Sequence, residues 1–176
     1  PINNYIFYLI FLIGGTALIN FTNFMDGIDG LIASNMIIAF LHLILFNQST
    51  NLNPILGSLI AFLYFNKSPA RVFMGDVGST FLGAIFFMEI IKLSDYRAAF
   101  LSLFSLFPIY LDAFICLISR FCNRENIFLS HKKHLYQRLI IGGMSHGKVS
   151  TIYILSILFL SLINNFLNIY YLIFAS

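Results

Sequence analysis

The chain has 176 residues, 59% hydrophobic and only 10% charged, with mean hydropathy +0.88 and net charge +3. Soluble domains carry about 25% charged residues, so this balance excludes an ordinary soluble domain, and no nucleic-acid partner is expected. Two cysteines, Cys116 and Cys122, stand six apart at the end of an apolar run; that is not a metal-ligand spacing, and both read as free thiols.

A helix needs about 20 apolar residues to cross a bilayer. In chain order, the predicted helices run over Ile6 to Phe21, Leu31 to Phe46, Ile55 to Phe65 with flanks from Leu52 to Asn66, Thr80 to Ile91, Ala98 to Ile118, and Val149 to Phe174. The last run is longer than one span requires: either one tilted helix, or a helix and a re-entrant tail broken near Asn164 and Asn165. The expected fold is all-α, a polytopic transmembrane bundle of six spans, or seven if the last run breaks, in a single domain over 1–176. Polar loops fall at about 23–30, 67–79 and 119–148. Alternation of spans puts these three loops on one side, with Lys67, Arg71, Arg120, Arg124, Lys132, Lys133, Arg138 and Lys148; only Lys92 and Arg97 fall on the other. The positive-inside rule makes the three-loop side cytoplasmic.

Each of these loops carries a polar cluster. Asn20, Asn23, Asp26, Gly27, Asp29 and Gly30 lie between the first two apolar runs; Phe73, Gly75, Asp76, Gly78 and Ser79 precede the fourth; His131, Lys132, Lys133, His134 and Arg138 lie in the long loop. Charge at the mouth of an apolar segment is costly and marks a site. Mg²⁺ prefers one or two carboxylates plus phosphate oxygens, which suits Asp26, Asp29 and Asp76, and the glycines let backbone amides approach a phosphate closely. The cationic loop suits a diphosphate or an anionic headgroup. The plainer alternatives are that Asp26 and Asp29 form turns and cap the next helix, and that Lys132 and Lys133 only anchor the topology. Asp112, inside an apolar run, reads equally as a helix-pairing group or a site residue. Glu89 reads as interfacial, and His42 as an interhelical hydrogen bonder.

The series Asn20-x-x-Asn23-x-x-Asp26-Gly27-x-Asp29-Gly30-Leu31 resembles the signature of the polyprenyl-phosphate N-acetylhexosamine-1-phosphate transferases. This is glycosyltransferase family 4, which includes the phospho-N-acetylmuramoyl-pentapeptide transferases of peptidoglycan synthesis. Phe73 to Gly83 resembles the second signature. His131-x-x-His134-x-Tyr136-Gln137-Arg138-Leu139 resembles the histidine loop in the form seen in the O-antigen and surface-polysaccharide branch. The three motifs stand in the family's order and span most of the chain.

The resemblance implies a bundle of about ten or eleven spans, each of bilayer length, of which this chain would be a C-terminal part. It implies transfer of a sugar 1-phosphate from a UDP-N-acetylhexosamine to undecaprenyl phosphate, with release of UMP, in a bacterial inner membrane. The product would be a lipid-linked sugar diphosphate that starts cell-envelope polysaccharide. The cofactor would be Mg²⁺, with Mn²⁺ as its substitute, and a homodimer is left open. By position, Asp76 matches the metal ligand and Phe73 the ring that stacks on uracil. Asn23, Asp26, Gly27 and Asp29 match the nucleotide pocket. Asn20, His131, His134 and Arg138 match the phosphate and lipid-phosphate side. Asp76, Asp26, Asp29, His131 and His134 would form the catalytic set. Direct attack by the lipid phosphate and a two-step route through an aspartyl phosphate both fit. The family's adjacent Asp-Asp pair, which lies upstream of the first signature, does not occur in this sequence, so this polypeptide alone is expected to be inactive. The competing reading is a non-catalytic polytopic membrane protein, a transporter or degenerate scaffold.

Overall fold

The computed structural model describes residues 2–47, 49–126 and 132–174. Eight α-helices follow one another among them: α1 (Ile2–Phe24), α2 (Leu31–Asn47), α3 (Asn53–Asn66), α4 (Gly75–Lys92), α5 (Tyr96–Ser105), α6 (Phe107–Cys122), α7 (Leu135–Ile141) and α8 (His146–Phe174). A short 3₁₀ turn, Thr50–Leu52, leads into α3, and no strand occurs among the described residues.

The bundle is built around α2, which contacts α3, α4, α5 and α8. Its sequence is apolar nearly all round, the pattern of a helix enclosed by others. Leu31 to Met36 are all buried, as are Ala39, Phe40 and Leu43. Outside this core, α1 lies against α4 and α6. The α1–α4 crossing depends on Gly83: a Cβ there would stand 3.1 Å from Ile19 Cα and 3.1 Å from Thr22 Oγ1. Small residues at such crossings let helix backbones approach where lipid offers no hydrophobic drive to associate.

The outer faces carry large apolar side chains. Leu9, Leu12 and Ile13 of α1 and Leu155, Phe159 and Phe166 of α8 are all more than half exposed. Water would penalise such a surface, whereas a hydrocarbon solvent accepts it. This is an all-helical, polytopic membrane bundle. By length and hydropathy, His146–Leu167 of α8 passes as a span by itself; α5 and α6 pass together, while Tyr8–Phe24 and Leu31–Asn47 are apolar but shorter.

The structure corrects the sequence reading in the fifth apolar run. Ala98 to Ile118 is not one continuous span: α5 and α6 meet at Leu106 with a bend of 73°. Pro108 sits in the first turn of α6; it lacks an N–H, and its ring would clash with the carbonyl four residues back in a continuous helix. The last run stays whole. Asn164 does not break α8 but donates to the Leu101 carbonyl at 2.8 Å. Two more polar pairs tie the same region: His42 Nδ1 with Ser161 Oγ at 2.9 Å, and Asn47 Nδ2 donating to Ser102 Oγ at 2.9 Å. His42 is thus the interhelical hydrogen bonder its position suggested.

Substituting Gly83→Val should force α1 and α4 apart and lower stability by about 1–3 kcal/mol, the usual cost of overpacking. Thermal unfolding of the detergent-solubilised protein measures it; an unchanged midpoint would mean the crossing is looser than described.

Candidate active site

The α1–α2 loop, the α3–α4 loop, α7 and the start of α8 meet at one end of the bundle, and hydrogen bonds fasten the first loop to each of the others. Asp29, between α1 and α2, is the hub. Its Oδ2 accepts from the Ala70 amide at 3.2 Å, and its own carbonyl accepts from Ser150 Oγ at 2.8 Å. Its Oδ1 stands 3.2 Å from His146 Nδ1. One aspartate therefore joins the α1–α2 loop, the α3–α4 loop and the start of α8. A second joint is made by Asn66 at the end of α3, where Oδ1 accepts from the Gly30 amide at 3.1 Å and Nδ2 donates to the Val72 carbonyl at 2.9 Å. Gly30 has φ +72° and lies against Lys67, a left-handed conformation that favours glycine.

Asp76 lies in the first turn of α4, just after Gly75 at φ +67°. Asn23, at the end of α1, gives one amide group to two acceptors, Asp76 Oδ1 at 3.0 Å and Ser79 Oγ at 2.9 Å. The first and second clusters of the sequence are therefore in direct contact. Asp26 faces the same group: burial, and then the charge of Asp76, push its carboxyl up from an ordinary 3.8 to about 6. Two carboxylates that hold each other's charge unfavourably are a donor set that a divalent cation would relieve. Among the described residues no three His, Cys, Asp or Glu side chains form a closed metal cage, so an ion here would draw its remaining ligands from substrate and water, as Mg²⁺ commonly does. Phe73, just upstream of Asp76, is 75% exposed and leaves its ring open to a planar partner.

The third cluster is built differently. His131 lies outside the described residues. His134 precedes α7 and is buried, its Nδ1 3.6 Å from Asp112 Oδ1 and its ring stacked on Tyr136 at 5.6 Å. Tyr136 is 1% exposed and reaches back to the first loop, donating its hydroxyl to the Phe24 carbonyl at 3.2 Å. A Cβ on Gly27 would stand 2.0 Å from that hydroxyl, so Gly27 is needed for close approach. Lys133 pairs with Glu125, which also faces Arg120. Arg138 is exposed and lines, with Leu135 and Leu139, a cavity of about 470 Å³ between α6, α7 and α8. Asn20 sits on the exposed face of α1, and its amide donates to the Thr16 carbonyl one turn back.

Reading the sequence missed several residues that assemble this end. Asn66 closes an apolar run and could have been noticed as a lone carboxamide before a glycine-free loop. Tyr136 and His146 lay inside segments already marked as polar, but nothing in their spacing shows that one supports Gly27 and the other meets Asp29.

Two outcomes follow. Gly27→Ala should displace Tyr136 and lower thermal stability by about 1–3 kcal/mol; an unfolding midpoint equal to wild type would mean that the first and third loops are not packed together. Asp26 binds its proton more tightly folded than unfolded, so without divalent ions wild-type stability should fall as pH rises from 3.8 to about 6. Asp26→Asn should abolish that fall, which unfolding midpoints across the same range would show.

The pattern of the family described as Glycosyl transferase family 4 matches residues 1–94, which hold both acidic clusters. A phospho-N-acetylmuramoyl-pentapeptide-transferase of Chlamydia muridarum is 41% identical over 95 residues, covering 48% of this chain and 28% of that protein. A protein of Bacillus subtilis named as a probable undecaprenyl-phosphate N-acetylglucosaminyl 1-phosphate transferase is 32% identical over 157 residues, covering 80% of this chain and 42% of that protein. A phospho-N-acetylmuramoyl-pentapeptide-transferase of Wolbachia pipientis wMel is 40% identical over 88 residues, covering 46% of this chain and 26% of that protein. The chain thus spans less than half the length of each of these relatives. Both signatures that the family pattern covers stand on the loops that Asn23 and Asp29 fasten together, and the chain belongs to glycosyl transferase family 4.

Proposed function

We propose that the protein carrying this chain transfers a sugar 1-phosphate from a UDP-N-acetylhexosamine to undecaprenyl phosphate, releasing UMP, at the cytoplasmic face of a bacterial inner membrane. The observation that carries this reading is the fastening of the loop bearing Asp26 and Asp29 to the segment bearing Asp76 at one end of an apolar bundle, through Asn23 on Asp76, Asn66 on Gly30 and Val72, and Asp29 on the Ala70 amide. A transporter would instead place its polar groups near the bilayer midplane. The Bacillus relative matches 80% of this chain against 48% for the Chlamydia relative, and its name supports N-acetylglucosamine as the sugar of the donor.

Asp76 and Asp26 would hold Mg²⁺, or Mn²⁺ in its place, which when bound supplies positive charge to the donor diphosphate. Asn23 fixes the orientation of Asp76 by donating to Oδ1. Phe73 offers its exposed ring to uracil. Gly27 and Gly30 shape the first loop by letting its backbone lie against Tyr136 and beside Lys67. Arg138, exposed on α7, offers a guanidinium to the lipid phosphate. An oxygen of that phosphate forms a bond to the sugar-linked phosphorus, the bond to the UMP oxygen breaks, and UMP leaves with the electron pair. Such a reaction asks for charge neutralisation and positioning more than for a strong base.

The test is UMP release by the full-length protein in lipid nanodiscs with UDP-N-acetylglucosamine, undecaprenyl phosphate and Mg²⁺. Asp76→Asn should lower the rate at least about a hundredfold, the loss usual for one preorganised electrostatic group. A variant turning over at the wild-type rate would overturn the role of Asp76, and a wild-type protein that releases no UMP would overturn the reaction.

A further inference from the structure

We infer that Asp112 is a positioning residue for the lipid-phosphate side of the site, acting through α7 on Arg138. This rests on the reading of Arg138 given above.

Asp112 lies in α6, buried, in the middle of an apolar helix, where an unpaired carboxylate would be costly. It is paired from three directions. Oδ1 accepts from the Leu135 amide at 2.7 Å; Oδ2 accepts from the Tyr136 amide at 3.2 Å and from the Tyr153 hydroxyl of α8 at 2.6 Å. His134 Nδ1 stands 3.6 Å from Oδ1, too far for a hydrogen bond but close enough for electrostatic contact. The two amides belong to the first two residues of α7, whose N–H groups have no partner within the helix. One side chain of α6 therefore fastens the start of α7 to the bundle, beside the local capping bonds of His134 and Gln137, and sets which way the helix points.

The length of α7 makes this control effective. The helix has only seven residues, and a helix that short does not hold itself together in water. Its placement comes from its contacts, chiefly Asp112 at its start and the burial of Tyr136. Arg138 follows Leu135 by three residues, one turn along, and lines the same cavity as Asp112, Leu135 and Tyr153. Rotation or fraying of the first turn would carry its guanidinium away from that opening. The chemistry also dictates the residue type. A carboxylate offers both oxygens as acceptors; Asn keeps one and would turn an amide group towards donors that need acceptors.

The experiment uses the full-length protein in nanodiscs, with steady-state kinetics in both substrates and amide hydrogen exchange of the α7 segment. In Asp112→Asn, exchange at Leu135 and Tyr136 should quicken at least about tenfold. KM for undecaprenyl phosphate should rise about tenfold while KM for the UDP-sugar stays within about twofold; mere loss of folded protein would lower kcat and leave both KM values alone. Arg138→Ala should raise the same KM, and the double variant should be no worse than Arg138→Ala alone. Asp112→Glu should restore part of the loss. If Asp112→Asn does not fold, Tyr153→Phe removes one donor to the same carboxylate without touching α7 and should produce the same changes to a smaller degree. Unchanged exchange, an unchanged KM for the lipid phosphate in Asp112→Asn, or losses that multiply in the double variant would each overturn the inference. An unchanged KM in Arg138→Ala would overturn the reading of Arg138, and with it this route of action.

Discussion

Carboxylates at the end of an apolar bundle repel one another, and the structure depends on the neutral donors that hold them in place. Asn23 gives its amide to Asp76, the Ala70 amide and His146 meet the Asp29 carboxylate, the Ser150 hydroxyl holds the Asp29 carbonyl, and Asn66 clamps the loop beside it. Neither Asn23 nor Asn66 carries a formal charge, and no lysine or arginine is among these donors. Burial, and then the charge of Asp76, hold the Asp26 carboxyl up at about 6. Had lysines supplied the hydrogen bonds, the acids would be neutralised within the protein and less available to a cation arriving with substrate.

The opposite end of the bundle shows the same constraint without chemistry. There His42, Ser161, Asn47, Ser102 and Asn164 bond among themselves or to a backbone carbonyl, and join α2, α5 and α8. In hydrocarbon such pairs replace water as partners for groups that the fold has buried. The 73° turn between α5 and α6 sits between these two polar regions. It aims α6 so that Asp112 meets α7, and α5 so that Ser102 meets Asn47.

Much of this was legible in the chain. Hydropathy alone placed the helices of α1, α2, α3, α4 and α8, because a bilayer demands long apolar runs and tolerates charge only between them. The paired acidic clusters were visible because carboxylates flanked by glycine are rare beside such runs. The bend at Leu106 was missed because hydropathy does not register Pro108. Asp112 was seen as an oddity but not as an anchor, since its partners in α7 and α8 are 23 and 41 residues distant in sequence. The support that Tyr136 gives to Gly27 was illegible for the same reason: it is a matter of shape between segments more than a hundred residues apart.

The phenol of Tyr136 has a consequence for motion. It fills the space under Gly27 while its backbone is tethered to α6. The acidic loop and the basic helix thus share a wall, and neither can swing outward without dragging its neighbour. Movement of either element would break the bond from the Tyr136 hydroxyl to the Phe24 carbonyl or carry the other element with it.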